Sequence, residues 1–156
     1  MNPAPGQEKD MNSRGLQAAL ISIDESLPLR KISGMIDGMA VSADAKALLM
    51  DIASLTIKIG ERVVAIGRKI VSFALGLVKK FPNTTFGLVI ALVLGALVTS
   101  AFGGIPIIGV ALAAKLKAIL LLFGIARGAV ADISQMPLRA EVDSLVNQMA
   151  PLAKVA

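Results

Sequence analysis

The sequence contains no cysteine, histidine, tryptophan or tyrosine among its 156 residues, and its only aromatic side chains are five phenylalanines. These absences exclude a disulfide framework, a thiol nucleophile, an imidazole base and the usual zinc ligands. The acidic residues are scattered over amphipathic segments, so no general acid–base pair is expected. Gly60 and Gly67 lie near Arg68 and Lys69, but they have neither the spacing nor the strand context of a phosphate-binding loop. The sequence therefore predicts a protein that is not an enzyme and that has no catalytic, cofactor or metal site.

Apolar residues dominate what is present. Hydrophobic residues make up 55% of the chain, against roughly 45–50% in an average protein, and charged residues 17%, against about 25%. The 34 residues from Phe81 to Ala114 include no charged side chain. A helix that crosses a bilayer needs about 20 apolar residues. The sequence therefore predicts an all-α fold in which amphipathic helices accompany a hydrophobic transmembrane helical hairpin.

The region before the charge-free run predicts a leader followed by amphipathic helices. Residues 1–14 are polar and contain proline and glycine, which predicts a disordered leader. Residues 15–80 form an amphipathic helical region that is interrupted at Pro28. Within it, Ser42 is a good N-cap, no proline intervenes before residue 80, and polar residues recur at a spacing of 3.6. One long helix over residues 42–80 is therefore predicted.

The charge-free run itself predicts two helices joined by a turn so short that they must be antiparallel. Glycine and proline interrupt the helix at this turn, and proline also opens and ends the last predicted helix. The predicted segments are the hydrophobic hairpin at 84–131, its legs at 86–102 and 107–131, the turn at 103–106 with Gly103, Gly104 and Pro106, and a C-terminal amphipathic helix at 136–150.

Small residues recur at every fourth position in the predicted hairpin. Such a row, a glycine zipper, forms a shallow groove that lets two helix backbones approach closely. The groove can pack the two legs of one hairpin together, or it can also drive assembly into a homo-oligomer, and both interpretations are open. The candidate helix-packing or oligomerisation residues are Gly87, Ala91, Gly95, Thr99, Gly103, Gly109, Ala113, Gly124 and Gly128.

Two lysines lie in the second predicted leg, where a charge in the bilayer is costly. Lys115 and Lys117 are nine and eleven residues beyond Pro106. They can extend to the surface from a shallow hairpin, line water in an oligomeric pore, or be exposed in a form whose apolar legs are covered by the preceding helix. The sequence leaves these three placements open.

Basic residues flank the charge-free run on both sides. Such flanking charge marks the cytosolic side of a membrane and attracts anionic lipid, whereas nucleic-acid binding is not expected because no stacking aromatics accompany the charges. The first residues lack the pattern of a signal peptide, so we expect synthesis without a cleavable signal. The candidate membrane-surface residues are Arg62, Arg68, Lys69, Lys79, Lys80 and Arg127.

From Ser42 to Ala131 the pattern resembles known membrane-active bacterial proteins. A hydrophobic hairpin with an uncharged tip, accompanied by basic amphipathic helices, is similar to the pore-forming domain of colicins and to small pore-forming effectors delivered by type VI secretion. The resemblance implies a chain that is soluble enough to be delivered and that then inserts into a membrane and dissipates ion gradients. It also implies a protein partner that serves in delivery, as a chaperone or in immunity.

Three functions are consistent with this pattern. The first is a pore-forming or membrane-permeabilising bacterial toxin or effector, which would act at the bacterial inner membrane and be secreted by a signal-independent route. The second is a resident inner-membrane scaffold or anchor. The third is a phage holin, a protein that forms lesions in a membrane. The chain has about eighty residues before its first predicted span, which is more than such a lesion needs.

Overall fold

The computed structural model describes residues 5–82, 85–125 and 137–156, and these ranges are mostly helical. The prediction of an all-α fold is confirmed at this level, with one small β-hairpin as the exception. The elements are α1 (Pro5–Asp24), α2 (Leu29–Asp37), α3 (Ala43–Ala53), β1 (Ile57–Ile59), β2 (Arg62–Val64), α4 (Ile66–Lys80), α5 (Phe86–Leu97), a π-helical turn (Val98–Phe102), α6 (Pro106–Leu122) and α7 (Pro137–Val155).

The N-terminal segment is helical from Pro5, so the predicted disordered leader is wrong over residues 5–14. Proline is favoured in the first turn of a helix, where its missing N–H has no intrahelical partner to lose. Further along α1, Ala19 and Ile23 are buried, as their helical spacing indicates. The predicted interruption is confirmed, because Pro28 is the N-cap of α2.

The single long helix predicted over residues 42–80 is wrong. Ser42 does cap α3, accepting a hydrogen bond from the Ala45 backbone nitrogen at 3.1 Å, but α3 ends at Ala53. A β-hairpin follows, in which Ile57 pairs with Val64 and Ile59 with Arg62. β-branched residues favour strands, and Gly60, at φ 63°, adopts the backbone conformation that a two-residue turn requires.

The helices on either side of the β-hairpin touch at their backbones. The Gly67 nitrogen, near the start of α4, donates a hydrogen bond to the carbonyl oxygen of Leu55 at 2.9 Å. A Cβ atom at Gly67 would lie 2.0 Å from the carbonyl oxygen of Ile52, so only glycine fits this position. The close contact folds α4 back against α3.

The predicted hairpin is present, with a shorter second leg. The first leg comprises α5 and the π-helical turn and ends at Phe102, as predicted, whereas α6 ends at Leu122; residues 126–131 of the predicted second leg lie outside the described residues. Gly124, at φ 62°, terminates α6. Its nitrogen donates to the Leu121 carbonyl oxygen, and that of Ile125 to Leu120, which is the Schellman arrangement.

The C-terminal helix begins at Pro137, within one residue of the prediction, but extends through Pro151 to Val155. Pro151 lacks the N–H that would reach the carbonyl four residues earlier, which is why a helix end was predicted there. The burial of Leu152 just beyond it favours continuation of the helix. Helix α7 therefore packs over its whole length, against α1, α5 and the π-helical turn.

Candidate functional site

Helix α5, the first leg of the hydrophobic hairpin, lies at the centre of the described structure. Helix α5 has no charged residue and none that is exposed, and it contacts α4, α6 and α7. Its neighbours therefore take the place that lipid would occupy around a membrane helix. The buried residues of α5 are Gly87, Val89, Ile90, Ala91, Leu92, Val93, Leu94, Ala96 and Leu97.

The turn of the hairpin lies where the sequence predicts it. Gly103 and Gly104 follow the π-helical turn, and Pro106 opens α6. A Cβ atom at Gly103 would lie 2.1 Å from the carbonyl oxygen of Val98, and one at Gly109 would lie 2.5 Å from that of Phe102. Glycine thus allows the first turn of α6 to approach the end of the other leg closely.

Two members of the small-residue row pack the legs together. A Cβ atom at Gly87 would lie 2.5 Å from ring carbons of Phe123, just beyond α6, and one at Gly95 would lie 3.9 Å from Leu116. The contact at Gly87 is close, whereas that at Gly95 is an ordinary van der Waals contact. The row thus serves the hairpin's own packing, and assembly between copies stays a prediction.

The remaining members of the row have separate environments. Ala91 is buried in the core, whereas Ala113 is exposed. The Thr99 hydroxyl is exposed and donates to the carbonyl oxygen of Gly95 at 2.9 Å. Gly124 terminates α6, and Gly128 lies outside the described residues.

The two lysines of α6 occupy different environments. Lys115 is partly buried, and its Nζ lies 3.8 Å from Oδ2 of Asp51 on α3. Lys117 is exposed. Residues 84–131 contain no aspartate or glutamate, and Asp51 lies 64 residues before Lys115, so the sequence gives no local signal for this ion pair.

Three of the six predicted basic membrane-surface residues bind other parts of the chain. Arg62 pairs with Asp24 at 2.8 Å, and Lys80 pairs with Glu141 on α7. Arg68 donates to the carbonyl oxygens of Ser26 and Leu27, both at 3.1 Å. These residues therefore hold α1, α4 and α7 together around α5, a role that their spacing did not indicate.

Two further basic residues of α4 differ in burial. Lys79 is exposed, whereas Lys69 is half-buried. Burial lowers the pKa of Lys69 from its ordinary value, and the nearby carboxylate of Glu25 partly offsets this effect. Lys69 lines a polar cavity of about 430 Å³ that also includes Glu25, Lys80 and Glu141. Arg127 lies outside the described residues.

One face of α6 is exposed and almost wholly apolar. Ile107 is 86% exposed, Val110 70% and Leu121 73%. We call this the outer face of α6, comprising Ile107, Val110, Ala114, Lys117 and Leu121. A spacing of three or four residues puts all five on one side of a helix, so this signal was available from the sequence.

An apolar cavity lies between the β-hairpin and the start of α6. Its volume is about 530 Å³, which is within the range of ligand pockets. Because it adjoins the turn of the helical hairpin, we call it the tip-side cavity. Its lining residues are Thr56, Ile57, Lys58, Val63, Ile105, Pro106, Ile107, Ile108 and Ala156.

None of the helices in the described ranges combines the length and the apolarity needed to cross a bilayer. The same ranges contain no cluster of acidic side chains that could hold a metal ion. Comparison of the chain with models of protein families, with curated proteins and with solved structures found no match.

Proposed function

We propose that this chain is a bacterial toxin or effector that permeabilises membranes by inserting its helical hairpin into the bilayer and self-associating there. The observation that carries the proposal is the charge-free helix α5, which has no exposed residue and which packs against α4, α6 and α7. Exchanging this protein cover for lipid tails leaves α5 in an apolar environment, so the exchange has a small cost for this helix.

The cover around α5 is held partly by polar contacts that a charged lipid surface can weaken. Lys80 and Glu141 join α4 to α7, and Lys115 and Asp51 join α6 to α3. Their side chains are partly exposed, and ion pairs of this kind contribute about 0–1 kcal/mol each. Opening the bundle at these two places therefore needs little energy from electrostatics.

The length of the hairpin limits how it can insert. The α5 leg, with its π-helical turn, and the α6 leg have 17 helical residues each, or about 25 Å at 1.5 Å per residue. The hydrocarbon core of a bilayer is about 30 Å thick. Insertion at this length requires a locally thinned bilayer.

A reversible cross-link tests whether the hairpin must leave the bundle. The chain has no cysteine, so Asp51→Cys and Lys115→Cys introduce a unique pair that a short, reducible bismaleimide can join. We expect the untethered double variant to release dye from vesicles containing phosphatidylglycerol. The tethered form is expected to release none, and reduction is expected to restore release.

The matched control places the same cross-link within one helix. Arg139 and Asp143 form an ion pair at 3.1 Å inside α7, so Arg139→Cys with Asp143→Cys tethers nothing to the hairpin. We expect this form to release dye as well as the untethered chain. Equal release by both tethered forms would contradict hairpin insertion, and absence of release from the untethered chain would favour the anchor or scaffold function over permeabilisation.

A further inference from the structure

Three exposed apolar side chains cluster at the tip of the helical hairpin. Ile107 and Val110 lie one turn apart on the outer face of α6, and Val63 and Ile107 both line the tip-side cavity. An apolar patch of this kind, continuous with an apolar cavity, is typical of an interaction site. It adjoins the uncharged turn that would enter a membrane first.

The charge around the tip-side cavity favours an anionic partner. Lys58 lies directly opposite Val63 in the β-hairpin, and both point to the exposed side of the two strands. No aspartate or glutamate side chain lines the cavity. Ala156, the last residue of the sequence, also lines the cavity, whereas Lys117 lies farther away, ten residues beyond Ile107 on the outer face of α6. The surface thus combines apolar side chains with a cationic one.

We propose that the tip-side cavity and the exposed residues Val63, Ile107 and Val110 form the docking surface for an anionic bilayer, on which the folded chain binds before its hairpin inserts. An acyl chain occupies the cavity, and Lys58 pairs with the phosphate of the lipid headgroup. This inference rests on the proposed function, since it names the surface through which that function begins.

Docking on this surface fixes the direction of entry. The turn at Gly103 and Gly104 follows directly from the π-helical turn and is exposed beside the cavity. A bilayer held there meets the hairpin at its uncharged end. The ion pair between Lys80 and Glu141, at the end of α4, belongs to the opposite end of α5 and opens only afterwards.

The experiment separates docking from insertion by using the chain tethered between residues 51 and 115. Its binding is measured by flotation with vesicles of phosphatidylcholine alone and with vesicles containing phosphatidylglycerol. We expect the tethered chain to bind the anionic vesicles without releasing dye. In this background, Val63→Asn and Ile107→Asn are each expected to weaken binding by about tenfold, because each removes an aliphatic side chain from the lipid contact.

Matched variants keep the measurement specific. Leu121→Asn changes an equally exposed apolar residue at the other end of α6 and is expected to leave binding unchanged. Lys58→Gln is expected to weaken binding to anionic vesicles by about fivefold, which corresponds to one lysine near such a surface. Lys31→Gln changes an exposed lysine that does not line the tip-side cavity and is expected to leave binding unchanged. Circular dichroism checks that every variant keeps the helix content of the parent chain.

Several results would overturn the proposal. The first is failure of the tethered chain to bind anionic vesicles. The second is an equal loss of vesicle binding in Ile107→Asn and Leu121→Asn. The third is that the variants change the oligomeric state of the chain without changing its binding to lipid. The last result would make the surface a contact between copies of the chain. If docking depends on these residues but the untethered chain releases no dye, the docking surface stands and the proposed permeabilising function fails.

For residues whose variants lose helix content, a label provides the second measurement. Ile107→Cys and Leu121→Cys each give a single thiol for an environment-sensitive fluorophore, since the chain has no cysteine. In a chain that is still folded around α5, the label at residue 107 is expected to shift to the blue on anionic vesicles and the one at residue 121 is not. A blue shift of the label at residue 121 and none at residue 107 would contradict the assignment of the docking surface to the start of α6.

Discussion

The two legs of the helical hairpin have similar apolar sequences, yet α5 is enclosed by protein and α6 is open along one face. No residue of α5 is exposed, whereas only Ile108, Gly109, Leu112 and Ile119 of α6 are buried. Apolar composition therefore identifies both legs without indicating which one lies at the centre. The difference comes from the neighbours of α5, which cover it from α4, α6 and α7.

The largest expected effect comes from truncating an equivalent side chain in each leg. Leu94 of α5 is fully buried, so Leu94→Ala is expected to lower the free energy of unfolding by about 2–5 kcal/mol through lost burial and a cavity. Leu121→Ala, at an exposed position of α6, is expected to change it by less than about 0.5 kcal/mol. Urea denaturation followed by circular dichroism measures both, and similar values for the two variants would remove the distinction between the legs.

The second prediction compares two glycines within α5. Gly87→Ala places a methyl group against the ring of Phe123 and is expected to destabilise the fold by about 1–3 kcal/mol. Gly95→Ala has room and a better helix propensity, so it is expected to stabilise by up to about 1 kcal/mol. The same denaturation experiment applies. Destabilisation by both variants would mean that Gly95, like Gly87, packs tightly inside the hairpin.

A smaller effect is expected from the contact between α6 and α3. A double-mutant cycle with Asp51→Asn and Lys115→Gln is expected to give a coupling free energy of about 0.2–1 kcal/mol, because the 3.8 Å pair is partly exposed. The coupling should decrease as salt is added. A coupling well above this range, or one insensitive to salt, would contradict the weak attachment that the proposed opening requires.

The smallest effect concerns Lys69 on α4, which covers α5. Its pKa is lower in the folded chain than the ordinary value of 10.5, so the unfolded chain binds more protons between these two values. The stability is therefore expected to rise with pH across this window. Lys69→Gln should reduce the slope when unfolding is measured from neutral pH to pH 10.5. An equal reduction of the slope by Lys79→Gln, which removes the same charge from an exposed position, would contradict the assignment of this pH dependence to Lys69.

Local signals predicted the hairpin and its turn, because the charge-free run and the glycines at 103 and 104 act over short stretches of chain. The β-hairpin was missed because Lys58 and Arg62 also fit a polar stripe at helical spacing, although β-branched residues around Gly60 offered a competing strand signal. The pairing of Lys115 with Asp51 and the enclosure of α5 depend on contacts between distant segments. Neither could be predicted from spacing alone.

The close contact at Gly67 also has a consequence for the order in which the chain folds. It joins α4 to α3 across a loop of about a dozen residues, and closing so short a loop costs little conformational entropy. These helices precede the hairpin in the chain and leave the ribosome earlier. The contact at Gly67 therefore allows α3 and α4 to form an apolar surface before α5 is synthesised. This surface shortens the time during which the charge-free segment is exposed and can aggregate.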